Sequence, residues 1–202
     1  MDLITLGRTL GFSFAAGVNL YATVAILGLA SRYGWVSLPP QFQAFNNDLV
    51  IGAAVVLYLV EFFADKIPYV DTVWDMLHTL VRPAGGALIA VTTLGEASPT
   101  VEGLIALLGG TIAAGSHLTK TSTRAVANAS PEPFSNWILS ISEDLFVVGL
   151  GYLALQYPLA ALAVAVALTI LIVVFAAVIV RVVRRWFGRR VPTINPPPDG
   201  SR

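Results

Sequence analysis

The stretch LAALAVAVALTILIVVFAAVIV, residues 159–180, carries no charged side chain. As a helix it covers roughly 30 Å, the hydrocarbon thickness of a bilayer. Outward from it, Tyr157-Pro158 makes a tight turn on one side. On the other side Arg181, Arg184, Arg185, Trp186, Arg189 and Arg190 form a basic run that leads into a Pro-rich end. The rest of the chain has the same character. Of 202 residues 56% are apolar and 12% charged, with mean hydropathy +0.76. A soluble domain carries about 25% charged residues, so this chain has too few to coat a water-facing surface and too many apolar ones to be disordered. The reading is an all-α integral membrane bundle. Cysteine is absent, which excludes disulfides and thiolate chemistry.

About six spans fit: residues 10–30, 42–64, 71–94, 101–121, 134–155 and 159–180. Pro39-Pro40, Asp65-Lys66-Ile67-Pro68, Gly95 to Pro99, and the helix break Ser130-Pro131-Glu132-Pro133 separate them. Residues 10–23, LGFSFAAGVNLYAT, match residues 108–121, LGGTIAAGSHLTKT, at seven of fourteen positions, including Gly17 with Gly115. This predicts two repeats of three helices, residues 1–95 and 96–183, inverted in the membrane as in many transporters. A basic, disordered tail is expected over residues 184–202. Arg8, Lys66, Lys120, Arg124 and the arginine tail on one side, against Arg32 on the other, place both termini in the cytoplasm by the positive-inside rule. Outside the tail, residues 1–180 hold six cations and eleven anions, so nucleic-acid binding is not expected.

Two segments carry polar stripes at helical spacing. Asp71, Asp75, His78 and Arg82 fall at i, i+4, i+7 and i+11 and share one face. Charges inside a membrane helix cost roughly 2.5–3.5 kcal/mol each on insertion scales, so they face protein or water. The bland alternative is a surface-lying amphipathic helix with the true span starting near Pro83, but residues 83–95 are too short to cross. His117, Lys120, Arg124 and Asn128 form the second stripe, among hydroxyls. With Arg82 they suit an anion such as phosphate or carboxylate; the alternative is an extension whose cations merely obey topology. Glu143 and Asp144 lie ten residues inside the fifth segment, with Asp48 as their counterpart in the first half. Together with Asp71, Asp75 and His78 these acids are candidates for a proton or cation site. The two stripes are expected to face one another. Asp71, Asp75 and His78 have a spacing compatible with a metal, but it is unspecific; no metal, cofactor or catalytic residue is assigned.

The motifs Asp65-Lys66-Ile67-Pro68-x-x-Asp71-x-x-Trp74-Asp75-x-x-His78-Thr79-x-x-Arg82-Pro83, Thr119-Lys120-Thr121-Ser122-Thr123-Arg124 and Asn128-x-Ser130-Pro131-Glu132-Pro133-Phe134-Ser135-Asn136 resemble the membrane-protein family known as domain of unknown function 4126. The resemblance covers roughly residues 8–180. It implies a bacterial multi-pass protein of the inner membrane and brings no activity.

Three functions compete. The first is a small transporter or flippase for an anionic small molecule or lipid head group, coupled to protons or a cation. The second is a scaffolding protein docked through its tail. The third, with no recognised catalytic spacing behind it, is a membrane-embedded head-group enzyme. The lipid bilayer is the expected partner, with a homo-oligomer as a further expectation.

Overall fold

A computed structural model describes residues 2–129 and 134–188. Among these the chain is helical without strands. Its elements are α1 (Leu3–Val18), α2 (Leu20–Tyr33), a 3₁₀ turn (Pro40–Phe45), α3 (Asp48–Ala64), α4 (Val70–Leu94), α5 (Pro99–Asn128), α6 (Phe134–Gln156) and α7 (Pro158–Gly188). The helices α5, α6 and α7 are each long and apolar enough to cross a membrane. In α7 only 6% of the most apolar window is buried, at a mean hydropathy of 3.2. A helix apolar on all sides and bare of protein contacts needs lipid around it. The exposed Leu49, Leu80, Leu88 and Leu107 on α3, α4 and α5 extend that apolar surface around the bundle. This is a helical membrane protein.

The segment expected as one span at residues 10–30 is two helices. The chain breaks at Asn19, whose backbone is extended (φ −147°, ψ 101°). Along α1, Arg8 reaches the Leu155 carbonyl, Phe14 meets the Phe146 ring, and Asn19 bonds Asp144. Along α2, Ile26 lies against Gly151, and Arg32 pairs with Asp48 at the start of α3. The first helix therefore runs antiparallel to α6 and the second runs parallel to it. The two form a hairpin that enters and leaves at the same end of the bundle. Their 16 and 14 residues span about 24 and 21 Å, each short of a full crossing. The same end holds the 3₁₀ turn, where Gln41 donates to the Thr93 carbonyl, and the turns before α5 and α7.

Asn19 makes the break possible. Its amide N–H closes α1 on the Ala15 carbonyl, while its side-chain oxygen accepts from Ala22 N–H at 2.9 Å and caps α2. Small residues then let α1 sink between α4 and α5. A Cβ on Gly17 would lie 1.9 Å from Ser116 Oγ and 2.2 Å from the Ala113 carbonyl, and one on Gly109 2.4 Å from Ala90. Ser116 Oγ donates to the Phe14 carbonyl, and Ser13 Oγ to that of Gly86. The two similar stretches, 10–23 and 108–121, thus pack on each other. Their backbones differ: the first breaks at Asn19, whereas α5 is continuous through the matching positions. Gly17 is wedged against α5, whereas a Cβ on Gly115 would meet only Ile172 at 3.9 Å. Helix α7 continues to Gly188, so residues 184–188 are helical and not part of a disordered tail. Phe12, Leu27, Phe42, Ile89 and Val147 fill the apolar core on the hairpin side.

Candidate functional site

Beyond the hairpin tip the interior changes from apolar to ionic. The stripe on α4 faces inward, with Asp71, Asp75 and Arg82 all at most 2% exposed, while Leu77, Leu80 and Met76 face out. That orientation excludes an amphipathic helix lying on a water interface, which would turn its charges outward. The α5 stripe is equally buried, at His117, Lys120 and Arg124. Helix α3 ends here with Glu61 and Asp65, and α6 brings Glu143.

Every cation of the cluster is held by protein carboxylates. Arg82 Nη2 meets Glu61 at 2.8 Å and Asp75 at 3.1 Å. Lys120 Nζ meets Asp65 at 2.8 Å, Glu61 at 3.1 Å and Glu143 at 3.4 Å. Arg124 donates to Asp65 at 2.9 Å and to both oxygens of Glu143, and lies 3.8 Å from Asp71. Three further donor groups reach helix ends. Arg82 Nη1 donates to the Gly17 carbonyl and Lys120 to that of Val18, the orphan acceptors of α1, while Arg124 Nη1 donates to the Asp65 carbonyl beyond α3. Asn128 spans Asp71 with its amide and accepts from Asn136 at 2.6 Å.

Both histidines can be assigned tautomers from their neighbours. Arg82 Nη1 donates to His117 Nδ1 at 2.9 Å, so that nitrogen accepts and Nε2–H points to Thr79 Oγ1. The Nδ1 of His78 lies 2.7 Å from the Trp74 carbonyl, which only accepts, so Nδ1 is the donor and Nε2 accepts from the Tyr21 hydroxyl.

The balance of charge is uneven. Among the described residues Glu61, Asp65, Asp71, Asp75 and Glu143 face Arg82, Lys120 and Arg124, five acids against three bases. Adding Asp144 and Lys66, which bond Asn19 and Ser140 at the margin, keeps the surplus at two acids. Three buried oxygens, Glu61 Oε2, Asp65 Oδ1 and Asp75 Oδ2, have no hydrogen bond among the described residues. Two depressions approach the cluster. A cleft of about 350 Å³ between α4 and α5 reaches Asp75 and Arg124, and an apolar groove of about 320 Å³ among α5, α6 and α7 reaches Lys120 and Glu143.

The family model of a domain of unknown function, DUF4126, matches residues 6–178. The chain belongs to the DUF4126 family. No curated protein and no solved structure matches it.

In this DUF4126 protein the structure gathers Asp71, Asp75, His78, Arg82, His117, Lys120, Arg124, Asn128 and Glu143 into one network, with Asp144 beside it. Asp48 is elsewhere. It sits in the first turn of α3, at the opposite end of the bundle, 91% exposed and paired with Arg32. The acid that α3 contributes is Glu61, thirteen residues on and about 20 Å further along the helix. Ser130, Pro131, Glu132 and Pro133 lie outside the described residues. The sequence reading missed Glu61, Asp65, Asn19 and Tyr21. Glu61 closes a charge-free run at i−4 from Asp65, a visible signal that reading Asp65-Lys66 as a helix break leaves unused. The cations assigned to an anion are already neutralised, so they offer no vacant anion seat among the described residues. No group of three or more His, Cys, Asp or Glu among those residues is placed to hold a metal ion.

Proposed function

We propose that this DUF4126 protein is a small membrane transport protein whose buried acid–base cluster takes up protons or a small cation. The surplus of two acids over bases carries this reading. A net negative site inside a bilayer is costly and is relieved by positive charge from outside. The C-terminus of α1 aims its negative dipole end at the same place, a use of interrupted helices known from transporters. The anionic substrate suggested by Arg82, His117, Lys120, Arg124 and Asn128 loses its support, because Arg82, Lys120 and Arg124 are spent on carboxylates.

The membrane arrangement belongs to the same proposal. Helices α3 to α7 cross in alternation, five crossings, and the α1–α2 hairpin is re-entrant. Leu168 and Ile172 of α7 line the same groove as Lys120; on this reading Lys120 lies about 17 Å from the Pro158 end and about as far from Arg181, near the midplane. Among the described residues the fully buried charges continue from there to one face only, the end with Asn128 and Arg181, which the positive-inside rule assigns to the cytoplasm. The start of α1 then faces away from it.

The test is flux into vesicles of neutral lipid that contain the purified protein and a trapped pH dye, under an imposed potential. Flux above protein-free vesicles, lost in Asp75→Asn and Glu61→Gln, is the expected result. Wild-type flux equal to that of empty vesicles, for protons and for sodium or potassium alike, overturns the proposal.

A further inference from the structure

The cleft between α4 and α5 has a chemistry of its own. It is lined by Thr72, Asp75, Thr79, Thr121, Ser122 and Arg124, with Met76 and Ala125 at its edge. Three of its four hydroxyl protons are already committed. Thr72 Oγ1 donates to Asp71, Thr79 Oγ1 to the Asp75 carbonyl, and Thr121 Oγ1 to the Leu118 carbonyl. Each of these oxygens accepts at most one bond from the protein, from Asn128 at Thr72 and from His117 at Thr79, so each keeps a lone pair. Arg124 spends its guanidinium on Asp65 and Glu143. The cleft therefore offers acceptors and almost no donors.

Asp75 lies at its inner wall, 2% exposed. Its Oδ1 has ion pairs with Arg82 at 3.1 Å and Lys120 at 3.9 Å, and neither of its oxygens has a hydrogen bond. Pro83 lacks an N–H, so the Thr79 carbonyl has no i+4 donor and adds a further backbone acceptor on the same turn. One carboxylate with several neutral oxygens is a set of hard ligands of total charge −1. It suits a monovalent ion better than a divalent one.

We infer that the α4–α5 cleft binds a monovalent alkali cation, with Asp75 as the charged ligand and the hydroxyls of Thr79, Thr121 and Ser122 as neutral ones. This rests on the transport reading above and names the ion and its seat. Room for about ten waters, at about 30 Å³ each, lets the ion enter with part of its hydration shell.

The experiment is thermal unfolding of the purified full-length protein in NaCl, KCl and choline chloride at equal ionic strength. A saturable rise in Tm with sodium or potassium and none with choline is expected. Thr79→Val, which keeps the shape and removes the ligand oxygen, should weaken the apparent affinity at least tenfold. Asp75→Asn should abolish the response, and should it fail to fold, Thr79→Val alone decides. Equal shifts with choline, no saturable shift with either metal ion, or an undiminished response in Thr79→Val overturns the site. Proton flux in wild-type vesicles without any sodium or potassium response leaves the transport reading standing and removes the cleft. A saturable response without flux does the reverse.

Discussion

Arg82 shows how strongly single residues are committed here. It is fully buried, and its guanidinium joins Glu61, Asp75, His117 and the end of α1. Arg82→Ala takes the nearest cation from Asp75, leaves Glu61 with Lys120 alone and strips a helix-end carbonyl of its donor, and removing one partner of a buried ion pair costs about 3–5 kcal/mol. Unfolding in detergent should show a loss of that order. Arg32→Ala is the matched control: its partner Asp48 is 91% exposed, and an exposed pair contributes at most about 1 kcal/mol. Equal losses in the two variants would show that the cluster does not hold the bundle together. Replacing Glu61 alone by Gln keeps the shape and removes one of the acids, so its cost should be smaller than that of Arg82→Ala, because Lys120 and Arg82 retain Asp65 and Asp75.

At the scale of elements, the hairpin of α1 and α2 is the unusual part, and its depth depends on glycine. Gly17→Ala puts a methyl carbon within 2.2 Å of the Ala113 carbonyl, a backbone atom that cannot swing aside. The helix must withdraw from α5, which also pulls the Gly17 and Val18 carbonyls from Arg82 and Lys120. Cellular levels and Tm of this variant should fall sharply. Gly149→Ala meets nothing within 4 Å on α6, and the better helix propensity of alanine should leave stability unchanged or raise it by up to about 1 kcal/mol. Asn19→Ala removes the cap of α2 and the contact to Asp144, at an expected cost of about 0.5–2 kcal/mol. If Gly17→Ala and Gly149→Ala melt together, the close approach of α1 to α5 is wrong.

For the whole molecule the decisive observable is which side each end of the bundle faces. The natural chain has no cysteine, so single cysteines report cleanly. One at Thr5, in the first turn of α1, and one at Val182, past the apolar run of α7, should be labelled by an impermeant thiol reagent from opposite sides of the membrane. Labelling of both from one side would restore six crossings and remove the re-entrant hairpin. A cysteine at Asn47, beside the exposed start of α3, should behave like Thr5, because the hairpin returns the chain to its starting end.

By itself the sequence determined the class and the inward faces of two helices. A charge-free run such as 159–180 has one solvent that suits it, and charges at i, i+4, i+7 and i+11 in an apolar helix must turn from lipid whatever their neighbours. Both conclusions follow from local period and transfer cost. The hairpin, the recruitment of Glu61 and Asp65, and the neutralisation of the cations were decided by tertiary structure. An asparagine in an apolar run is compatible with a continuous helix, and the break at Asn19 is stable because Arg82 and Lys120, from two other helices, satisfy the carbonyls it exposes. A stripe of cations likewise looks the same whether it awaits an anion or already holds carboxylates. Which of the two it is depends on residues about 60 positions away, brought close by packing and not by any local pattern.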